Sequence, residues 1–213
     1  MTSTDITVFT LLAVIAVIVT LMSWAGVRLA RRAEQASASA TAEEVRVAAA
    51  AQVQGRSYVY SLLQGRLSLG TWMQRLHSDD GTLITEVTTH APPRNGVLQT
   101  FALDGRTYEC ASERLLARRV VLRDAQSGEV PLSVETRSLR VLFYRGRSDE
   151  LLFEVKIGTV FSDHSAVLQH GLEAARLLDV ALPHCRVRLL SPADSGLSRL
   201  EQCFLLARLP GGG

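Results

Sequence analysis

Lysine is almost missing from this chain: of its 23 basic residues only Lys156 is a lysine, and the rest are arginines. An arginine bias of that kind can follow from a GC-rich genome, so by itself it indicates no function. Cysteine stops at three, Cys110, Cys185 and Cys203. An odd, small number with no C-x-x-C spacing excludes a disulfide-stapled scaffold, and isolated cysteines suit buried strand positions. Aromatic residues make up only 6% of the chain, and the net charge is only +2. Few stacking platforms and no basic excess argue against a nucleic-acid partner. The 21% of charged residues are nearly balanced in sign, which excludes a disordered acidic or basic protein.

Catalytic signatures are missing too. There is no P-loop, no G-x-G-x-x-G and no G-x-S-x-G elbow. The histidines are His77, His90, His164, His170 and His184. His164 and His170 are six apart, where a metal pair on one helix face needs three or four. His184 and Cys185 are adjacent on an expected strand and point to opposite faces. Asp163-His164-Ser165 has the residue types of a hydrolase triad, but chain neighbours cannot meet in the required geometry. No catalytic residue, cofactor or metal site is expected, although an enzyme without a recognisable motif is kept as an alternative.

The chain does hold one long apolar run. Ile6 to Val27 carries no charge. As a helix it spans roughly 33 Å, enough to cross a bilayer core of about 30 Å. Trp24 stands near its end, where an amphipathic ring suits the headgroup region. The run exceeds the apolar core of a cleaved signal peptide, and no basic residue precedes it, so an uncleaved anchor is expected. Asp5 lies before the span, and Arg28, Arg31 and Arg32 follow it. The positive-inside rule then places the N-terminus outside and the rest of the chain on the cytoplasmic side of a cell membrane.

Residues 33–54 are Ala-rich and free of Gly and Pro. They read as a helical stalk, with Thr41 and Glu44 as a capping box opening its second half. From residue 55 to 209 the texture is β, with turn residues at short intervals. The expected segments are Ser57–Leu63, Arg66–Leu76, Thr82–Thr89, Val97–Leu103, Arg106–Cys110, Arg114–Leu122, Val130–Glu135, Leu139–Tyr144, Leu151–Ile157, His184–Leu190 and Gln202–Arg208. Asp104-Gly105 is a strong hairpin signal. Leu151, Phe153, Val155 and Ile157 alternate with Leu152, Glu154 and Lys156 and are expected to line the core. Val167, Leu168, Leu172, Ala175, Leu178 and Leu182 recur at helical spacing, which predicts a helix over Ser165–Leu182, capped by Ser162 or Asp163 and stopped by Pro183. Residues 210–213 form a Gly-rich tail. The fold class expected is mainly β, sandwich or barrel-like, with about eleven strands and one late helix behind a transmembrane anchor (1–32) and stalk.

Two strand-turn units carry a family resemblance: Phe101-Ala102-Leu103-Asp104-Gly105-Arg106-Thr107-Tyr108, and the stretch from Val120 to Gly128. With a late apolar helix, Gly96 to Leu182 resembles the tubby C-terminal and LURP-one-related barrels. That resemblance implies a strand barrel around the helix, and some members of those families bind phosphoinositides. Two departures stand out: the expected helix carries Glu173, Arg176 and Asp179, and two strands follow it.

Arginine clusters complete the candidate sites. Arg114, Arg118, Arg119 and Arg123 form one group, and Arg137, Arg140, Arg145 and Arg147 another. Such groups can meet anionic headgroups beside an anchor, or form a solvated face paired with nearby acids. The function expected is a single-pass, membrane-tethered, non-catalytic β module for docking or assembly, with the bilayer and a protein partner or a second copy as its contacts. An anionic-lipid-binding domain is the alternative.

Overall fold

A computed structural model describes residues 40–68, 70–112, 119–157, 164–183, 185–191 and 196–209. Helix α1 spans Ala42–Val53. Then come strands β1 (Val59–Ser68), β2 (Thr71–Ser78), β3 (Leu83–Arg94), β4 (Val97–Leu103), β5 (Arg106–Ser112) and β6 (Arg119–Asp124). They continue with β7 (Leu132–Arg137), β8 (Arg140–Arg145), β9 (Leu151–Lys156), β10 (His164–Gln169), β11 (Leu172–Ala181) and β12 (Arg186–Ser191). Helix α2, Arg199–Arg208, is the last element among the described residues. Each strand pairs antiparallel with its sequence neighbours, and β1 also pairs with β12, Tyr60 opposite Leu189. The sheet therefore closes into one up-and-down barrel with no free edge.

The lumen is filled by α2. Gln202 through Ala207 are six consecutive buried residues, so every face of the helix meets the wall. Phe204 packs edge-on against Phe143, their ring centroids 5.6 Å apart, and Phe143 stacks on Phe153 at 4.5 Å. Val87, Phe101, Leu122, Val134, Val155 and Val167 belong to the same core. A second, smaller core lies outside the barrel. There α1 buries Val45, Ala49 and Val53 against Tyr58, Tyr60, Leu178, Val180, Val187 and Leu189. The second half of the expected stalk is thus a helix lying on the barrel wall. Its capping box is formed: the Glu44 N–H donates to Thr41 Oγ1, and the Thr41 N–H donates to Glu44.

Several expectations need correction. No helix covers Ser165–Leu182; that stretch is the β10–β11 hairpin. His170 and Gly171 have φ of 52° and 81°, the two positive values that a tight hairpin turn requires. The misleading periodicity has a physical cause. Ala175 and Leu177 face the lumen, while Leu178 and Val180 face α1, so this strand is apolar on both sides and loses its alternation. The charges that counted against a barrel plug, Glu173, Arg176 and Asp179, lie on β11. The late helix is Arg199–Arg208, where a strand over Gln202–Arg208 was expected, and no strand follows it among the described residues. An apolar run this short does not by itself distinguish a buried strand from a buried helix.

The strand count is twelve among the described residues. β1 runs through Gln64-Gly65, where a turn was expected, and the register shifts between Gln64 and Ser68. β3 likewise continues through Pro92 and Pro93 to Arg94, and the turn is Asn95-Gly96. Phe153 and Val155 line the core as expected, but Leu151 and Ile157 are exposed at the barrel ends.

The expected span Ile6–Val27, its flank Arg28, Arg31 and Arg32, the cap at Ser162 or Asp163 and the 210–213 tail lie outside the described residues. Among those described, no helix is long and apolar enough to cross a membrane.

The filled lumen sets an expected stability change. Phe204→Ala should lower unfolding free energy by about 3–5 kcal/mol in denaturant titration, because its site is ringed by wall residues that cannot collapse inward. Val47→Ala, on the exposed face of α1, should change it by less than about 0.5 kcal/mol.

Candidate functional site

The lumen carries few polar groups, and most of them serve α2. A helix leaves its last carbonyls without intrahelical partners. Here the wall supplies them: Gln74 Nε2 donates to Leu206 O (3.2 Å), Gln99 Nε2 to Ala207 O (2.7 Å) and Arg188 Nη1 to Leu209 O (3.2 Å). Arg188 is in turn held by Asp179, with Nε to Oδ1 at 2.7 Å and Nη2 to Oδ2 at 2.6 Å. Arg208 donates from Nη1 to Gln99 Oε1 (3.1 Å), and burial pushes its guanidinium below the usual arginine range. These groups position the helix and leave its apolar body filling the barrel.

The two rims of the barrel differ in charge. Helix α2 enters at one rim, just after β12, and its C-terminal end points to the other. The entry rim is made by the turns β2–β3, β4–β5, β6–β7, β8–β9 and β10–β11. It carries Asp79, Asp80, Asp104, Asp124, Glu129, Asp149, Glu150 and Glu173, against Arg56, Arg106, Arg145, Arg147, Arg176 and Arg199. Several of these acids cap turns. Asp124 accepts the N–H groups of Gln126 (2.8 Å) and Ser127 (3.1 Å), and Asp80 accepts the Ser78 hydroxyl (2.6 Å) and the Thr82 N–H (2.9 Å). These bonds hold both carboxyl groups below the usual carboxylate range.

The exit rim is basic among the described residues. Arg94 ends β3, Arg137 and Arg140 flank the β7–β8 turn, and Lys156 ends β9 opposite Arg140. The acids around the β7–β8 turn are Glu135, facing Arg137 (2.9 Å), and Glu154, facing Arg140 (3.6 Å) and Lys156 (4.0 Å), while on the β11–β12 side Glu43 and Glu44 of α1 lie beside Ala181, Leu182 and Pro183.

The two arginine groups expected from the sequence are therefore not one surface. Arg137 and Arg140 come together at the exit rim. Arg119 starts on that side, but its guanidinium crosses the Tyr144 ring at 4.4 Å and reaches Asp149 at 3.1 Å. Arg123 lies along the wall, paired with Glu109 at 2.5 Å. Arg145 sits at the entry rim with Glu150 at 3.1 Å, and Arg147 is in the same loop, its carbonyl accepting from Arg119. Arg114 and Arg118 lie outside the described residues. Sequence reasoning missed Arg94 and Lys156, and it missed the inward Arg188. Val187 and Leu189 point outward under α1, which leaves Arg188 on the lumen side of the strand.

The histidines are scattered. His77 Nδ1 lies 3.1 Å from Gly81 O, and its ring stacks on Tyr60 at 5.2 Å beside α1. His164 and His170 stand at opposite ends of β10, and His184 lies outside the described residues. Among the described residues, no three His, Cys, Asp or Glu side chains come together as a metal site. Cys110 and Cys203 are buried free thiols in the barrel core, and burial pushes both up to about 12. Comparison of the chain with protein-family models, curated proteins and solved structures returned no match.

Three outcomes follow. Gln99→Leu should cost about 1–3 kcal/mol in denaturant titration, because it strips a buried donor from Ala207 O and an acceptor from Arg208. A thiol reagent should modify Cys185, which is partly exposed, well before Cys110 and Cys203. For the two buried thiols the folded pKa is raised, so their stabilising effect is complete below the ordinary value of 9.0. It is lost as pH rises from there toward about 12, because the unfolded chain ionises first. A Cys110→Ala, Cys203→Ala pair should flatten that alkaline decline.

Proposed function

We propose that this protein is a single-pass, membrane-tethered β-barrel module for docking or assembly, without catalytic activity of its own. The observation that carries this reading is the occupied lumen. Barrels that bind small ligands inside leave room for them, whereas here Phe204, Leu205 and Leu206 fill that space. Contacts with other molecules fall to the outer wall and the rims. The likeness to the tubby C-terminal and LURP-one-related barrels is kept only as a strand barrel around one apolar helix, with that helix at Arg199–Arg208 and not within Gly96–Leu182. The tether is the uncharged run Ile6–Val27, and Arg28, Arg31 and Arg32 after it favour a cytoplasmic barrel.

A second reading, an anionic-lipid-binding domain, is favoured by one observation, the separation of charge between rims. A molecule with an acidic end and a basic end is oriented by a negatively charged surface.

In cells expressing the full chain, the protein should sediment with membranes and resist alkaline carbonate extraction. Deleting residues 6–27 should make it extractable by carbonate. In inverted membrane vesicles the barrel should be open to added protease, and in intact cells it should be protected. Release of the full chain by carbonate would overturn the tether, and protection in inverted vesicles would overturn the orientation.

A further inference from the structure

The rims have a second asymmetry, in what surrounds their apolar tips. Leu139 sits in the β7–β8 turn with 61% of its surface exposed, and Ile157, just past β9, is 38% exposed. The Ile157 N–H donates to Leu139 O at 2.9 Å, which sets the two residues side by side. Ser138, with φ of 48°, tightens the turn that presents Leu139.

Arg137, Arg140 and Lys156 surround this pair. Arg137 and Arg140 are 59% and 61% exposed, while their partners Glu135 and Glu154 are 16% and 17% exposed. The acids lie against the wall beneath the guanidinium groups, so the outermost charges around the apolar tip are positive. Long basic side chains of this kind can turn toward a polar boundary while their stems accompany an apolar insertion.

The entry rim has exposed apolar residues as well, and Leu172 at 76% is the most exposed of them. There the neighbours are carboxylates: Glu173 follows Leu172, Glu150 precedes Leu151, and Asp79 and Asp80 share a hairpin with Leu83. An anionic surface repels that rim and attracts the other. Apolar exposure alone would not choose between the rims, but charge does.

We infer that the exit rim is a bilayer-docking edge: Leu139 and Ile157 enter the interface of an anionic membrane, and Arg137, Arg140 and Lys156 engage its headgroups. This rests on the tethered-module reading, which keeps the barrel beside a bilayer. The rim then fixes how the tethered barrel stands, with its acidic entry rim turned away from the membrane and open to other molecules.

The test uses the full chain with Leu139→Cys in a Cys185→Ser background, labelled with an environment-sensitive fluorophore. It is reconstituted into vesicles of phosphatidylcholine alone, or of phosphatidylcholine with phosphatidylserine. In phosphatidylserine vesicles the emission should shift to the blue and be quenched by spin-labelled lipid. High salt, or Arg137→Gln with Arg140→Gln, should reverse both effects. The same label at Leu172→Cys should stay in water, and unchanged circular dichroism and thermal midpoints check that each variant folds.

A Leu139 label that remains aqueous, or a Leu172 label that shifts equally, overturns the inference. So does a shift that follows protein density in phosphatidylcholine alone, since that would mark contact with a second copy. Flotation reads the tether separately. A chain that floats with an aqueous Leu139 label sinks the docking edge and leaves the tether standing, and a chain that does not float overturns both.

Discussion

The structure depends on the last turn of α2 being held inside a closed wall. A barrel of twelve strands encloses more space than wall side chains alone can fill, and empty apolar space is costly. A helix can occupy that space only if its terminal carbonyls find donors there. Gln74, Gln99 and Arg188 come from β2, β4 and β12, alternate strands on one side of the closed barrel. Arg188 is partly withdrawn from water, and Asp179 on the neighbouring strand supplies its counter-charge. A polar collar at one level thus permits an apolar helix over the rest of its length.

The outer helix solves a different problem. Three neighbouring strands, β11, β12 and β1, present apolar residues outward as well as inward, and α1 covers them. The same strands include the closure between the first and last strands of the barrel. Gly81, with φ of 87°, lies so near this helix that an added Cβ would come 2.6 Å from Ala42 Cβ. The acidic turn that contains it can meet the helix only as glycine. The Ala-rich composition of the segment serves the same contact, since short side chains let a helix lie close on a curved wall.

Most strand positions along the chain were legible because most of the wall is apolar on one side only. Asp104-Gly105 sits where a hairpin was expected, and it joins β4 to β5 with Phe101 opposite Tyr108. Reading failed where burial is two-sided. β11 has apolar residues on both faces and imitates a helix, while α2 is apolar all round and imitates a strand. A usable signal was present for α2: Ser198 and Glu201 form the same capping box as Thr41 and Glu44. The arginine groups could be found in the sequence but not their partition. Which rim each arginine joins depends on strand register and on whether its side chain, like that of Arg119, crosses the wall to a distant acid. The carboxylates beneath Arg137 and Arg140 come from pairings that local spacing reveals only for Glu135.

Closure between β1 and β12 has a consequence for how the chain is made. Tyr60 finds Leu189 only after nearly the whole domain has been synthesised, and the helix that fills the lumen comes later still. Until then the growing sheet has two open edges and an uncovered inner face, the features that invite pairing with other chains. Contacts of such wide sequence separation also make folding slow compared with a helical bundle of equal size. The barrel is consequently an all-or-nothing object during translation: a ribosome that stalls before Arg199 leaves a sticky sheet, not a smaller version of the domain.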